Sequence, residues 1–188
     1  MADTQDRVRI WTSFFALVRE EAKRVFEISE NCKAKDDWSP KGGKLPEERL
    51  HTLATLVLCN LAIEARVNHL IGELFEEGRI SKDVADAARL LPAKHKWFLL
   101  PALAGKSTTL SASSGPHQAI AEICALRNEC IHVSYDQLLT NLPPTGKMLS
   151  CFKRFVEAME DLNVVLGRHS QADPDILKIG TFSKLLTE

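Results

Sequence analysis

Residues 47–79 read EERLHTLATLVLCNLAIEARVNHLIGELFEEGR, and no other stretch of the chain is as informative about its fold. Wound at 3.6 residues per turn, this stretch is apolar around most of its circumference, without the alternation of a half-buried strand. A helix that is apolar on most sides must be covered on several sides. We therefore predict a long central helix from Glu47 to about Arg79.

Two other segments have the spacing of amphipathic helices. From Asp3 or Thr4 to about Cys32, apolar residues recur at steps of three and four among charged ones: Val8, Trp11, Phe15, Val18, Ala22 and Val25. From Lys147 to Arg168 the steps are 4, 3, 4, 3 and 4: Met148, Phe152, Phe155, Met159, Leu162 and Leu166. Each pattern predicts a helix that packs one face on a shared core.

The chain between these helices is less regular. Ser81 and Asp83 can cap a short helix through Leu91, and residues 93–100 favour a further helix. After a connection rich in Ser, Thr and Gly, a fourth long helix is expected to run from about residue 116 to residue 140.

These patterns predict the fold class and its organisation. No alternating strand pattern and no repeat of fixed period occurs in the 188 residues. We predict one all-α domain, an antiparallel bundle of four to five helices. Its core spans about 47–168, the N-terminal helix 4–32 packs on that core, and 169–188 form a tail.

Composition excludes several classes of protein. Hydrophobic residues make up 45% of the chain, with only nine Gly and eight Pro, which is typical of a globular domain. The formal net charge of −1 excludes an overall attraction to nucleic acid, so any contact with RNA needs a local patch. The polar N-terminus and the lack of about 18 uninterrupted apolar residues predict a cytoplasmic protein with no membrane partner.

Cysteine and histidine spacing predicts neither a disulfide framework nor a metal site. The five cysteines are odd in number and form no C-x-x-C pair: Cys32, Cys59, Cys124, Cys130 and Cys151. None of the six histidines falls in an H-E-x-x-H pattern or near a cysteine at ligand spacing. We expect free thiols, no metal and no cofactor.

Polar residues interrupt the fourth long helix at residues 125–135, which read ALRNECIHVSY. On a helical wheel Arg127 falls within the apolar face made by residues such as Cys124 and Ile131. Asn128 and His132 are one turn apart, and Tyr135 lies near the same edge. A purely structural interpretation, with a salt-bridged arginine and a surface histidine, remains open at this point.

The central helix carries a matching polar stripe. Asn60, Glu64 and Asn68 recur every fourth residue along an otherwise apolar element. A buried carboxylate such as Glu64, facing Arg127, would hold the guanidinium in place and offset the cost of burying both charges.

Residues 125–135, on a late helix beside a Glu-bearing central helix, resemble the HEPN superfamily (higher eukaryotes and prokaryotes nucleotide-binding). Its hallmark is Arg, usually followed by Asn, Asp or His, then three variable residues and His. Arg127, Asn128 and His132 match it, and the likeness in layout covers about residues 47–168. The resemblance implies a metal-independent endoribonuclease, commonly a toxin or defence component with an antitoxin partner. It also implies a homodimer in which two motifs line a shared cleft.

The chemistry of these residue types fits that activity. An imidazole titrates near neutrality, so His132 can act as general base or acid at the ribose 2′-hydroxyl or the leaving 5′-oxygen. Arg127 can bind the scissile phosphate and stabilise its developing charge, while Asn128 orients His132 or the phosphate. The expected products carry 2′,3′-cyclic phosphate and 5′-hydroxyl ends, with Glu64 and Tyr135 as supporting residues.

The resemblance does not extend to one form of regulation. In members silenced by nucleotidylation, the modified tyrosine lies two residues after the histidine, where this chain has Ser134. Tyr135 follows one place later, so the resemblance does not imply that tyrosine modification here.

A basic segment provides weaker candidates for RNA contact. Residues 79–106 contain six lysines and arginines against two aspartates, interleaved with two aromatic residues. Lys94, Lys96 and Trp97 are the predicted substrate-binding residues, since cations beside aromatic rings suit single-stranded RNA. A solvated helix face with Trp97 in the core is the favoured alternative.

Two other functions remain open. The main alternative is a non-catalytic HEPN module that binds a nucleotide or a protein partner and keeps the motif as a structural element. A DNA-binding regulator is less favoured, because no short helix-turn-helix with basic recognition residues is evident.

Overall fold

A computed structural model describes residues 4–33, 47–131 and 135–168. These residues form helices and no strand, so the all-α class is confirmed for them. The helices are α1 (Thr4–Lys33), α2 (Glu47–Glu76), α3 (Lys82–Arg89), α4 (Ala93–Leu103), α5 (Gln118–Ile131), α6 (Tyr135–Asn141) and α7 (Thr145–Val165).

The central position predicted for α2 is confirmed. Within the described ranges it packs against α1, α3, α4, α5 and α7. Its fully buried side chains include Leu56, Ile63, Leu70 and Ile71. By length and composition α2 could also cross a membrane, but 44% of its most apolar window is buried inside the protein, and the core helix of a soluble protein passes the same test.

Pairings between helices reveal their directions. Residues 49, 66 and 73 of α2 bond to residues 142–143, 163 and 168 in that order, so α2 and α7 run the same way. On α5, Glu122 bonds to Arg154 while His117, just before the helix, bonds to Asp161. This reversed order makes α5 antiparallel to α7.

Helix α1 covers one side of this core, and its predicted bounds of 4–32 agree with Thr4–Lys33. The ring of Phe15 stacks on Phe155 of α7 at 5.7 Å between centroids. His51 of α2 lies 2.6 Å from a Glu21 carboxylate oxygen. The same apolar steps that predicted the helix therefore place its buried face.

The short helix α3 begins where its capping residue predicted. The Ser81 hydroxyl accepts a hydrogen bond from the Val84 amide at 3.3 Å, satisfying an N–H that the helix cannot. Its buried side is made of Ala85 and Ala88 alone. Small residues there allow α3 to pack closely on α2.

The prediction of one continuous helix from 116 to 140 is wrong. The Asn141 side chain donates to the Glu129 carbonyl at 2.9 Å. In a continuous helix, residues 12 apart would be separated by about 18 Å. The chain therefore reverses between α5 and α6, and Asn141 satisfies one of the four carbonyls that the end of a helix leaves open.

Several predicted features lie outside the described residues. These are residues 34–46, which separate the predicted N-terminal helix from the central helix, the tail from 169, and residues 132–134, which include His132 and Ser134.

Candidate functional site

A groove of about 610 Å³ opens between α2, the start of α4 and α5. Its walls combine polar and apolar side chains. They are Asn60, Leu61 and Glu64 from α2, Pro92, Ala93, Lys94 and His95 from the start of α4, and Ala121, Cys124, Ala125, Arg127 and Asn128 from α5. A concave site with a few convergent polar groups is the usual form of a ligand pocket.

Two residues of the predicted motif line this groove. Arg127 is half-buried because it follows the buried residues Ile123 and Cys124 by one helical turn. Its Nη1 donates to the Asn128 side-chain oxygen at 3.1 Å. Among the described residues Arg127 has no carboxylate partner, so its guanidinium is available to an anion.

The predicted pairing of Glu64 with Arg127 is not what the structure contains. Glu64 Oε1 accepts from the ammonium of Lys96 and from Asn68 Nδ2, the latter at 3.1 Å. Lys96 also donates to the Asn68 side-chain oxygen at 2.9 Å. The partner of Glu64 thus comes from α4. Lys96 of α4 bonds to two residues of the polar stripe of α2, Glu64 and Asn68.

Lys94, Lys96 and Trp97 separate into two groups. Lys94 lines the groove. Lys96 is 2% exposed and Trp97 is fully buried, so neither side chain reaches the groove surface to contact RNA. The reason is their position on α4, whose buried residues face the core. The alternative with Trp97 in the core is the one that the structure contains.

Trp97 is held by a chain of hydrogen bonds. Its indole N–H donates to His117 Nδ1 at 3.1 Å, and His117 Nε2 lies 2.7 Å from an Asp161 carboxylate oxygen. Because an indole N–H can only donate, Nδ1 must accept, and the proton of a neutral ring lies on Nε2 toward Asp161. These two hydrogen bonds join α4, the start of α5 and α7.

The electrostatics of the groove converge at Cys124. The pKa of this thiol is raised to about 11, mainly by burial; Lys94 and Arg127 act to lower it, and the Glu64 carboxylate acts to raise it. Charged groups from three helices therefore act on one thiol. Since Lys96 balances the charge of Glu64, Lys94 and Arg127 give the groove a net positive charge that favours an anionic ligand.

Eight of the twelve lining residues were not predicted as site residues, and two of these, His95 and Asn60, have hydrogen-bonding side chains that could contact a ligand. His95 is exposed at the start of α4, and Asn60 lies one turn before Glu64 on α2. The polar stripe of α2 already contained Asn60 and could have identified it. Nothing in the local sequence around His95 indicated that it would line the same groove as Arg127, because that depends on how α4 packs.

The remaining motif residues, His132 and Tyr135, follow soon after the groove-lining residues of α5 in the sequence. His132 directly follows the last residue of α5, and Tyr135 begins α6, but His132 and the side chain of Tyr135 lie outside the described part of the chain. Within that part, no group of three or more His, Cys, Asp or Glu side chains could hold a metal ion.

Comparison of the chain with protein-family models, with curated proteins and with solved structures gives no match.

Proposed function

We propose that this chain is a metal-independent endoribonuclease of HEPN type that leaves 2′,3′-cyclic phosphate and 5′-hydroxyl ends. The observation that carries the proposal is Arg127, which lines a nucleotide-sized groove with Asn128 and has no carboxylate partner among the described residues. His132 follows one residue after the end of α5.

The proposed reaction uses the RNA as its own nucleophile. The ribose 2′-hydroxyl gives up its proton as its oxygen attacks the adjacent phosphorus, the bond from phosphorus to the 5′-oxygen breaks, and the leaving oxygen takes up a proton. His132 moves a proton in this exchange, as general base or as general acid. Arg127 stabilises the negative charge that grows on the phosphate oxygens, and its hydrogen bond to Asn128 orients the guanidinium.

The assembly and setting form part of the same proposal. The enzyme acts as a homodimer of helical bundles in which two motifs complete one phosphate site. It works in the cytoplasm as a toxin or defence component with an antitoxin partner. The exposed apolar side chain of Ile131, the last residue of α5, is compatible with a second subunit there.

A second candidate is a nucleotide-binding module that does not cut RNA. The observation in its favour is Glu64, which brings a carboxylate into the same groove as Arg127. A carboxylate in the groove can accept hydrogen bonds from a nucleotide base, which serves binding and is not required for cleavage.

The test is cleavage of RNA in EDTA by the wild type and by single variants. We expect His132→Ala to lower the rate by about 10²–10⁴. Arg127→Ala should lower the rate by about 10²–10³ and weaken substrate binding. The matched control is Arg89→Ala, which removes an arginine of α3 that pairs with Asp86 and does not line the groove. It should cut at the wild-type rate.

Three results would contradict the ribonuclease: cleavage that persists in His132→Ala, cleavage that needs added metal, or products with 5′-phosphate ends. A substrate with 2′-deoxyribose before the scissile phosphate must resist cleavage. Nucleotide binding that depends on Arg127 without cleavage of any RNA would establish the second candidate instead.

A further inference from the structure

One oxygen of the Glu64 carboxylate is committed to the protein and the other is not. Oε1 accepts from both Lys96 and Asn68. Oε2 has no hydrogen bond among the described residues, although the side chain lines the groove and is 37% exposed. The groove wall therefore contains an unused acceptor.

The position of this acceptor is fixed by its partner. The Lys96 side chain is 3% exposed, and its ammonium bonds only to Glu64 and Asn68 within the described ranges. If the carboxylate swung away, a buried ammonium would lose its counter-charge, which is costly. Glu64 is thus held in place before any ligand enters, and a preorganised group loses little freedom on binding.

A second polar group stands beside it on α2. Asn60 lies one helical turn before Glu64, which puts their Cβ atoms about 5–6 Å apart on one face. Its side-chain amide also lines the groove and makes no hydrogen bond with the described residues. Asn60 can donate where Glu64 can accept, and Arg127 and Lys94 supply cations in the same groove.

We propose that this groove binds guanine, and that Glu64 and Asn60 recognise its Watson–Crick edge. That edge presents two adjacent N–H donors, at N1 and N2, next to the O6 acceptor. Glu64 Oε2 accepts from the donors, and the Asn60 amide donates to O6. Adenine and cytosine place a single amino donor beside a ring acceptor, and uracil has no amino group, so each matches the carboxylate less well.

This inference rests on the proposed function for the placement of the phosphate beside Arg127. It adds a base preference to that site, so that cleavage is expected next to guanosine. Arg127 binds the phosphate, which every nucleotide carries, whereas Glu64 distinguishes one base from another.

The experiment compares binding of guanosine 3′-monophosphate and inosine 3′-monophosphate by calorimetry. Inosine differs only by the missing N2 amino group, and neither ligand contains a bond that the enzyme would cut. We expect the wild type to bind the guanosine ligand at least about tenfold more tightly, since only its N2 amino group can donate a further hydrogen bond to the charged carboxylate.

Two variants separate recognition from folding. Lys96→Met replaces the buried ammonium with an apolar chain of similar shape, while Asn68 still donates to the Glu64 carboxylate in the groove. Guanosine should bind more weakly than to the wild type, because the acceptor is less firmly held, but still more tightly than inosine. Adding Glu64→Gln to that variant removes the acceptor without leaving a buried ammonium unpaired. The preference should then disappear, while thermal unfolding stays close to that of Lys96→Met alone.

Equal affinity of the wild type for both ligands would overturn the inference, and so would a preference that survives in the double variant. Tighter binding of adenosine 3′-monophosphate than of the guanosine ligand would also overturn it. Failure of the ribonuclease is a separate outcome: a Glu64-dependent preference for guanosine without RNA cleavage would overturn only the enzyme. Cleavage without preference for guanosine would overturn only the inference.

Discussion

His117 connects three helices through the two nitrogens of one ring. Nδ1 accepts from Trp97 of α4, and Nε2 bonds to Asp161 of α7, while His117 itself stands just before α5. Trp97 is fully buried, so its indole N–H has no access to water if His117 is lost. A buried donor without a partner costs about 1–3 kcal/mol.

We predict that His117→Ala lowers the free energy of unfolding by about 2–4 kcal/mol. The loss combines the unpaired indole N–H with the cavity left by a buried ring. Urea denaturation measures it, with His95→Ala as the matched control because His95 is exposed in the groove wall. Similar losses in both variants would show that the hydrogen-bond chain does not stabilise the fold.

Some residues of the candidate site could be predicted from the sequence alone, and others could not. Arg127 and Asn128 could be identified because the motif is local and both lie on one helix. The pairing of Glu64 with Lys96 could not be predicted. Arg127 and Lys96 were both possible cationic partners, and the sequence does not show which of them lies closer to Glu64 in the fold. Burial of Trp97 was foreseen as an alternative, since aromatic residues in helices usually pack in cores.

At the scale of helices, the end of α5 is the element on which the proposed site depends. Asn141 of α6 donates to the Glu129 carbonyl and folds α6 back against α5. Arg49 of α2 donates to the carbonyls of Leu142 and Pro143 at 2.7 and 2.8 Å, which anchors the turn that follows. The first contact joins residues on either side of 132–134 in the chain, the segment that contains the motif histidine.

We predict that Asn141→Ala loosens this corner without unfolding the protein. The variant should lose about 0.5–1.5 kcal/mol of stability, the usual net contribution of one hydrogen bond. Amide hydrogen exchange should accelerate in α6 and in the last turn of α5, while α2 keeps its protection. Because the contact uses a backbone carbonyl, Glu129→Ala retains the acceptor and is the control; faster exchange there as well would contradict the assignment.

At the scale of the whole molecule, buried thiols tie stability to pH. Burial raises the pKa of Cys124 to about 11, and burial together with Glu122 raises that of Cys151 to about 12. Burial also raises the pKa of Cys59 well above 9.0. Folding therefore favours the neutral thiols, because each thiolate would lie in a poorly solvated site.

The direction of the pH effect follows from these shifts. The pKa of the Cys124 thiol is higher in the folded protein than the value of 9.0 in the unfolded chain. Its contribution to the free energy of unfolding is therefore fully present below about pH 9 and is lost as the pH rises toward 11. We predict a fall of about 1.4 kcal/mol per pH unit for each such thiol. Urea denaturation from pH 7 to 10.5 measures it. Cys124→Ala should flatten the decline above pH 9, and an unchanged slope would contradict the burial of an ionisable thiol there.

Periodicity and caps in the sequence were enough to predict that the described residues are helical, that α2 is central and where most helices begin, to within two residues. Those features follow from local rules, since the spacing of apolar residues and a capping serine act within a few residues of chain. The prediction of one helix from 116 to 140 was wrong because the contact that reverses the chain joins residues 129 and 141, outside the reach of any local signal.

The packing of helices against one another, in contrast, determined which side chains pair, where the sequence allowed more than one partner. It joined Glu64 to Lys96 rather than Arg127, left Arg127 and one carboxylate oxygen open to a groove, and brought His95 and Asn60 to its walls. The physical reason is that helix periodicity specifies which face of each helix is buried, while the rotation and offset between helices depend on how all their side chains fit together. Contacts between helices, and with them the shape of the groove, arise only at that level.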